Sequence, residues 1–390
     1  MSARGESKAR PLLLVTNDLG PRAGGIETFI LGLLMEISHH GIPGDEIVIY
    51  TSSQPGDLAF DKELFDKHDI VVIRDRAKIL LPTPRVNRDV IKVAHRFKSQ
   101  IVWFGAAAPL GWMSGTLRRA GVKRIVTLSH GHEVWWSKVF PFSLIMRRIG
   151  SKVDVLTYLG EFTRDAIRPA LGGHPQLVHI APGIDTKHFT PGAKSKELLE
   201  SFGLVDKKII VSVGRLVHRK GQDRLIEAMP KILKEIPDAY LLMIGEGPYK
   251  QELEKLVAKH DLARHVRFVG RLNYSQLPEH IRLGDVFAMP SRSRFFGLEV
   301  EGLGIVYLEA SACGLPVVAG QSGGAPDAVL KGKTGLIVDG TDVNDVANAC
   351  IDILSDLKNA RKMGLAGRSW IESDWDWKIW GKRFAELLQE

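Results

Sequence analysis

Two carboxylates, Glu301 and Glu309, stand eight positions apart in the stretch MPSRSRFFGLEVEGLGIVYLEASACGLPVVA, residues 289–319. Eight residues is a little over two helical turns, so both acids face one ligand if a helix begins near Leu303. Gly302, Leu303, Gly304 and Ile305 form the loop that leads from the first acid into that helix. Carboxylates so placed accept hydrogen bonds from a ligand's donors or do acid–base work. A second group is cationic: Ser212-Val-Gly-Arg215-Leu-Val-His-Arg-Lys220-Gly221. Arg forks two phosphate oxygens, Lys supplies a point charge, and a helix starting at Gly221 adds its dipole. Arg219 reads as an exposed basic neighbour. A third group is Ser129-His130-Gly-His132-Glu133. Histidines there serve as base, hydrogen-bond donor or metal ligand. No further ligand set stands nearby in sequence, so no metal site is expected.

Glycines mark the remaining candidates. Gly20-Pro-Arg-Ala-Gly24-Gly25-Ile-Glu-Thr allows close backbone approach and offers free amides to an anion at a helix start. It lacks the dinucleotide fingerprint, and Asp45 and Glu46 precede the second strand instead of ending it, so hydride transfer is disfavoured. Gly245-Glu-Gly247, Gly270-Arg271-Leu272 and Ser322-Gly-Gly-Ala-Pro-Asp327 also follow strands.

The elements that must carry these residues alternate. Strands are expected at Leu12–Thr16, Ile47–Thr51, Ile70–Ile73, Ile101–Phe104, Arg124–Leu128, Val153–Thr157 and Leu177–Ala181. Helices are expected at Ile26–Ser38, Asn87–Phe97, Pro109–Ala120, Val134–Ile149 and Glu161–Ala170. A second series has strands at Lys208–Val213, Tyr240–Ile244, Val266–Val269, Val286–Met289, Pro316–Ala319 and Leu336–Val338. Its helices start near Gly221, Tyr249, Ser275, Gly304, Ala325 and Val343. Strands separated by helices imply βαβ units and parallel sheets. The proline- and glycine-bounded stretch Pro182–Gly192 reads as the linker between the two series.

At 390 residues the chain has room for two or three domains. With 44% hydrophobic and 25% charged residues it has an ordinary globular composition. Cys313 and Cys350 are its two cysteines, which implies no disulfide framework and fits a reducing compartment. No apolar run reaches the length of a membrane span. The run Pro11–Val15 is too short for a signal peptide and reads as the first strand. The net charge of +8 is unevenly spread: residues 70–152 carry sixteen Lys and Arg against Asp75, Asp89 and Glu133. Such a field attracts anionic membranes, nucleic acid or phosphorylated ligands.

The glutamate pair, its glycines and the tail Ala-Ser-Ala-Cys-Gly-Leu-Pro-Val-Val resemble the Glu-x7-Glu motif of retaining GT-B glycosyltransferases of family four. The long basic and aromatic loop Arg292–Val300 departs from many of that family. With Trp103-Phe-Gly-Ala-Ala-Ala-Pro109 and His130-Gly-His-Glu-Val134, it is similar to the bacterial phosphatidylinositol-mannoside mannosyltransferases that add the second mannose. The likeness runs over essentially the whole chain. It implies an α/β GT-B fold of two Rossmann-like parallel-sheet domains facing a deep cleft. Residues 1–185 would be the acceptor- and membrane-facing domain and 186–372 the nucleotide-sugar domain, with a terminal helix in 373–390 crossing back to the first. The resemblance puts Gly24 and Gly25 under the donor diphosphate and makes His130 the active-site histidine, with His132 as the fallback. Arg215 and Lys220 bind phosphate, and Gly270, Arg271 and Leu272 meet the base through backbone atoms. Glu301, with Gly302 to Ile305, orients the donor sugar, and Glu309 holds the ribose.

The reaction so implied is retaining α-mannosyl transfer from GDP-mannose to a phosphatidylinositol monomannoside. No cofactor or metal is expected, and same-face attack is favoured over a glycosyl-enzyme. The implied partners are the glycolipid and an anionic membrane surface, with the protein cytoplasmic and peripheral on the inner face of the cell membrane. Another nucleotide sugar with a different glycolipid or small acceptor stays open. The basic segment alone would also suit nucleic acid, but no known nucleic-acid module is present and no such partner is expected.

Overall fold

The computed structural model describes residues 10–21, 24–173 and 175–390. Arg22 and Ala23 of the first glycine loop lie outside the described residues. The chain divides into two compact units, one of residues up to Gly183 plus Trp377–Glu390, the other Ile184–Asp376.

Among the described residues the first unit holds seven strands: β1 Leu12–Thr16, β2 Ile47–Ser52, β3 Val71–Asp75, β4 Ile101–Phe104, β5 Arg124–Thr127, β6 Val155–Tyr158 and β7 Gln176–His179. All neighbours are parallel, in the order β3-β2-β1-β4-β5-β6-β7. Central strands such as β1 are apolar and buried at nearly every position because helices cover both faces. The order reverses between β1 and β4. Ligands of open α/β sheets bind beyond the carboxyl ends of strands at such a reversal.

The second unit repeats the plan with six strands: β8 Lys208–Val213, β9 Ala239–Ile244, β10 Val266–Gly270, β11 Val286–Met289, β12 Val317–Gly320 and β13 Gly335–Val338. Their parallel order is β10-β9-β8-β11-β12-β13, so the reversal lies between β8 and β11. The loop after β8 carries Arg215 to Lys220, and the loop after β11 carries Glu301. Topology alone therefore brings the cationic and acidic motifs to one place.

The helical expectations need correction at several points. The single helix expected over Val134–Ile149 is two, Glu133–Lys138 and Phe142–Gly150, because Pro141 interrupts the ladder. The helix expected from Ala325 is one short 3-10 turn, Ala325–Ala328, after which Val329 is extended. Three helices among the described residues had no counterpart in the expectations: Asp57–His68, whose face is mostly polar, the short Lys196–Phe202, and the long Leu357–Asp374. No helix among the described residues is long and apolar enough to cross a membrane.

The C-terminal helix Trp377–Gln389 belongs to the first unit. Ile184 N–H donates to the Trp375 carbonyl at 2.7 Å, so the outgoing and returning chain segments run side by side. The three tryptophans of the tail divide between the units. Trp375 stays with Trp370, ring centres 5.5 Å apart, in the second. Trp377 packs on Phe29 at 6.3 Å and fills the space where Gly32 lacks a side chain. Trp380 meets His179 at 4.8 Å. Phe384 is fully buried with its ring 4.9 Å from Trp103 of β4. Truncating a buried aromatic leaves a cavity, so Phe384→Ala should lower unfolding stability by about 3–5 kcal/mol. Chemical denaturation of the full chain measures this. A change below about 1 kcal/mol would show that the terminal helix is not part of the first unit's core.

Candidate active site

In the second unit, β8 ends at Val213, and the chain turns through Gly214 into a 3-10 turn, His218–Lys220. Gly221 has φ +74, and a Cβ there would lie 1.9 Å from the Pro290 carbonyl oxygen. Only glycine lets the β8 loop press against the end of β11 in this way. The helix Gln222–Glu235 then begins, and its first side chain, Gln222, donates to the Arg215 carbonyl at 3.3 Å.

Across this turn Glu301 is 6% exposed. Its Oε2 lies 2.8 Å from Lys220 Nζ and 2.5 Å from Arg219 Nη1. Burial alone would raise its pKa, but the charges and hydrogen bonds of Lys220 and Arg219 outweigh this and hold it below the ordinary value. Glu301 is therefore an anion neutralised by two cations. The backbone around it is fixed from behind. Its N–H donates to Ser322 Oγ at 3.3 Å, and its carbonyl accepts from Gly324 N–H at 2.9 Å. The sequence reading placed Arg219 as an exposed neighbour. It is instead partly buried and is Glu301's shortest contact. The signal was three consecutive basic residues ending at a glycine, but which two would turn inward depends on the 3-10 turn.

Gly304 caps the next helix, Ile305–Ala312, with φ +81. The helix thus begins one residue after the expected start near Gly304. Buried Tyr307 anchors it: its hydroxyl donates to the Met289 carbonyl at 2.7 Å and lies 2.9 Å from Ser291 Oγ. Glu309 sits inside the helix, 7% exposed, with no ion pair or hydrogen bond to its side chain among the described residues. Burial pushes its pKa up to about 7. Burial first, and then the charge of nearby Glu309, raise the pKa of Tyr274. The two acids are thus alike in type and opposite in state.

The other candidates of this unit are placed but less engaged. Arg215 is exposed, and no ion pair holds its side chain among the described residues. Gly270 closes β10 with φ +85, and its carbonyl accepts from Gly245 N–H at 2.8 Å. Arg271 is exposed and Leu272 half-buried after it. Gly302 is half-buried, Leu303 is buried, and Ile305 opens the helix. The loop Arg292–Val300 is tied at its base: Arg292 forks onto buried Asp223 at 2.8 and 2.7 Å, and its N–H donates to the Arg219 carbonyl at 2.8 Å. Asp223 was not anticipated from sequence.

In the first unit, Gly24 caps the helix Gly25–His39 in an extended conformation. Glu27 in the first turn crowds it: a Cβ on Gly24 would meet the Glu27 carboxylate at 2.3 Å. Gly25 has open space around its Cα. His130 follows β5 and packs edge-on against Phe29 of that helix, centres 5.7 Å apart. Its Nε2 is 2.5 Å from the Gly105 carbonyl, which accepts only, so this nitrogen carries the proton. Nδ1 is left as an acceptor. Burial lowers the His130 pKa against the opposing pull of Glu133, so the ring is neutral. Glu133 is fully buried; its Oε2 accepts from the His130 N–H at 2.9 Å, and its Oε1 is 3.2 Å from His132 Nε2. His132 is the more exposed of the two and stacks at 6.1 Å on His130. No group of three or more His, Cys, Asp or Glu suited to a metal ion occurs among the described residues.

Residues 23–188 match the family Glycosyltransferase Family 4, and residues 195–370 match Glycosyl transferases group 1. The chain is 43% identical to the GDP-mannose-dependent alpha-(1-6)-phosphatidylinositol monomannoside mannosyltransferase of Mycolicibacterium smegmatis, over 97% of this chain and 98% of that one. It is 41% identical to the GDP-mannose-dependent monoacylated alpha-(1-6)-phosphatidylinositol monomannoside mannosyltransferase of Corynebacterium glutamicum, over 98% and 99%. Among solved structures, Anabaena Alr3699/HepE in complex with UDP is similar with a TM-score of 0.80 at 19% identity, over 97% of this chain and 99% of that one. That likeness shows the GT-B fold. Identity above 40% over nearly the full length shows more, and the chain belongs to glycosyltransferase family 4.

Proposed function

We propose that this protein transfers mannose, with retention, from GDP-mannose to a phosphatidylinositol monomannoside at a membrane surface. The observation that carries the reading is the buried cluster of Lys220, Arg219 and Glu301 at the β8–β11 reversal. Two cations at a helix start suit a leaving diphosphate, and preorganised positive charge is worth most where charge develops in the transition state. Arg215, exposed beside them, adds a fork for phosphate. This cationic set does the work that a divalent metal does elsewhere, so the transfer is metal-independent in this reading. Glu301, neutralised by two cations, is a poor nucleophile, which favours same-face attack with the donor phosphate as base. It orients the donor sugar hydroxyls instead. His130 offers Nδ1 as a hydrogen-bond acceptor to a sugar hydroxyl.

The acceptor being a lipid, the protein must reach a membrane. The loop after β3 supports this, since Arg76, Lys78, Ile79 and Leu81 are all exposed there. Part of the basic field is already used internally: Arg74 pairs with Asp61 at 2.7 Å and Arg85 with Asp75 at 2.7 Å. The remaining exposed cations, Arg88, Arg119, Arg147 and Lys152 among them, are available to anionic headgroups at about 1 kcal/mol each.

The direct test is incubation of the purified chain with radiolabelled GDP-mannose and a panel of phosphatidylinositol mannosides. The expected product is the monomannoside extended by one α-linked mannose, and Lys220→Met should lower its kcat about 100-fold or more. Label released only to water, or transferred to no lipid of the panel, overturns the reading.

Glu309 gives a pH test. Its folded-state value of about 7 stands above the ordinary 4.5, so ionising it costs stability, and stability falls as pH rises from 4.5 through 7. Two ribose hydroxyls need an acceptor-only carboxylate, so donor binding favours the ionised form. Calorimetric affinity for GDP-mannose should therefore strengthen between about pH 6 and 8, and Glu309→Gln should abolish that slope while flattening the loss of Tm between about pH 4.5 and 7. An unchanged slope in the variant would remove Glu309 from the ribose site.

Vesicle binding should be salt-sensitive because surface attraction is screened over about 10 Å at 0.1 M salt. Co-sedimentation with phosphatidylglycerol vesicles should drop at least about tenfold between roughly 50 and 500 mM salt. Insensitivity to salt would refute electrostatic docking.

A further inference from the structure

The segment between Ser291 and Glu301 is a closed hairpin. Arg294 N–H donates to the Glu299 carbonyl at 2.8 Å, and Glu299 N–H returns to the Arg294 carbonyl at 3.2 Å. Its tip is Phe295-Phe296-Gly297, with φ of +50, +55 and +78. Three successive left-handed residues form a turn that glycine, asparagine or aspartate adopts readily and an aromatic residue does not. Here two of the three are phenylalanine, exposed at 62% and 106%. The turn throws both rings outward, and the base does not let them fold back. Arg292 is locked on Asp223, and Arg294 Nη1 on Glu299 at 3.1 Å. The tip is thus apolar, strained and rigidly presented, which water does not reward.

We propose that the Phe295–Phe296 tip inserts into the hydrocarbon of the bilayer that holds the lipid acceptor, so that the nucleotide-sugar unit makes its own membrane contact. The proposal rests on the reading that the acceptor is a membrane lipid. Hydrocarbon is chosen over a sugar because sugar-stacking rings work beside side chains that bond the hydroxyls. At this tip the nearest polar side chains, Arg294 and Glu299, are bonded to each other. Hydrocarbon is also supported by the collar: the Arg294 guanidinium lies 4.7 Å over the Phe295 ring. That places a cation just behind the apolar tip, at the depth where anionic headgroups begin, and its remaining N–H groups suit phosphate. The hairpin's far strand runs directly into Glu301, and Arg219 lies 4.0 Å from Glu299 and 2.5 Å from Glu301. Docking the tip therefore holds the donor-site carboxylate at the lipid surface.

The test labels Phe296→Cys with an environment-sensitive fluorophore; Cys313 and Cys350 are buried, so the label goes to the tip. Retained GDP-mannose binding shows that the labelled chain is folded. With phosphatidylcholine–phosphatidylglycerol vesicles, emission should shift to the blue and be quenched by spin-labelled acyl chains, but no longer by iodide. Unchanged emission on protein that co-sediments with the vesicles overturns the proposal. The second variant is Phe295→Ser/Phe296→Ser. It should lose about tenfold or more in transfer to the acylated acceptor in vesicles and stay within about twofold on the deacylated, water-soluble headgroup, and Phe296→Trp should behave as the unaltered chain. Equal loss on both acceptors, or loss on neither, overturns insertion. If the unaltered chain mannosylates neither acceptor, the acceptor assignment fails, and the fluorescence result alone decides whether the tip enters lipid.

Discussion

A carboxylate with almost no solvent, held between a lysine and an arginine, is the constraint on which the second unit is built. Ionised groups taken out of water are costly, and the cost is offset only when partners sit at short range with good geometry. Glu301 meets that condition through contacts of 2.8 and 2.5 Å. The surroundings follow from it. Gly221 must be glycine so that the loop bearing both cations reaches the end of β11. Gly323 and Gly324 must be glycine because a Cβ there would lie 2.2 Å from the Glu301 carbonyl oxygen and 2.1 Å from that of Gly302. Tyr307, bonded through its hydroxyl to the same β11 end, sets the helix that follows.

The sheet explains why these pieces meet at all. A parallel strand order that reverses leaves the loops of two adjacent strands diverging, and the gap between them is lined by helix starts. In the second unit those loops belong to β8 and β11, which are 73 residues apart between Val213 and Val286 in sequence yet neighbours in the sheet. In the first unit the corresponding contact falls one strand past the reversal: the Gly105 carbonyl, after β4, accepts a hydrogen bond from His130 Nε2 in the loop after β5.

Much of this was legible in the chain because strands buried on both faces read as unbroken apolar runs, and β1, β4, β8 and β11 fall where those runs stand. The two-unit plan was legible too, and the returning terminal helix came with the family resemblance; Trp377, Trp380 and Phe384 are what hold it to the first unit. What escaped has physical reasons. The helix Asp57–His68 has a single fully buried side chain, Leu64, and so almost no periodic signal. The break at Pro141 was in plain view, yet apolar periodicity on both sides masked it. Arg219 escaped because adjacent residues on a 3-10 turn point in directions that no spacing rule fixes. Asp223 escaped because its partner, Arg292, lies across the β11 loop and not near it in sequence.

The glutamate pair shows the limit of a motif most clearly. Spacing told that Glu301 and Glu309 belong together; it did not tell that they differ in charge. Both are almost fully buried. One has two cations within hydrogen-bond reach and stays ionised, whereas the other has only desolvation acting on it and holds a proton to about pH 7. A group fixed as an anion orients what approaches it, at a cost already offset by its partners. A group poised near neutrality gains most when a ligand brings hydroxyl donors, because those donors supply the stabilisation that the protein withholds. The same side chain thus serves as scaffold at one position and as a responsive acceptor at the other, and the difference lies wholly in Lys220 and Arg219.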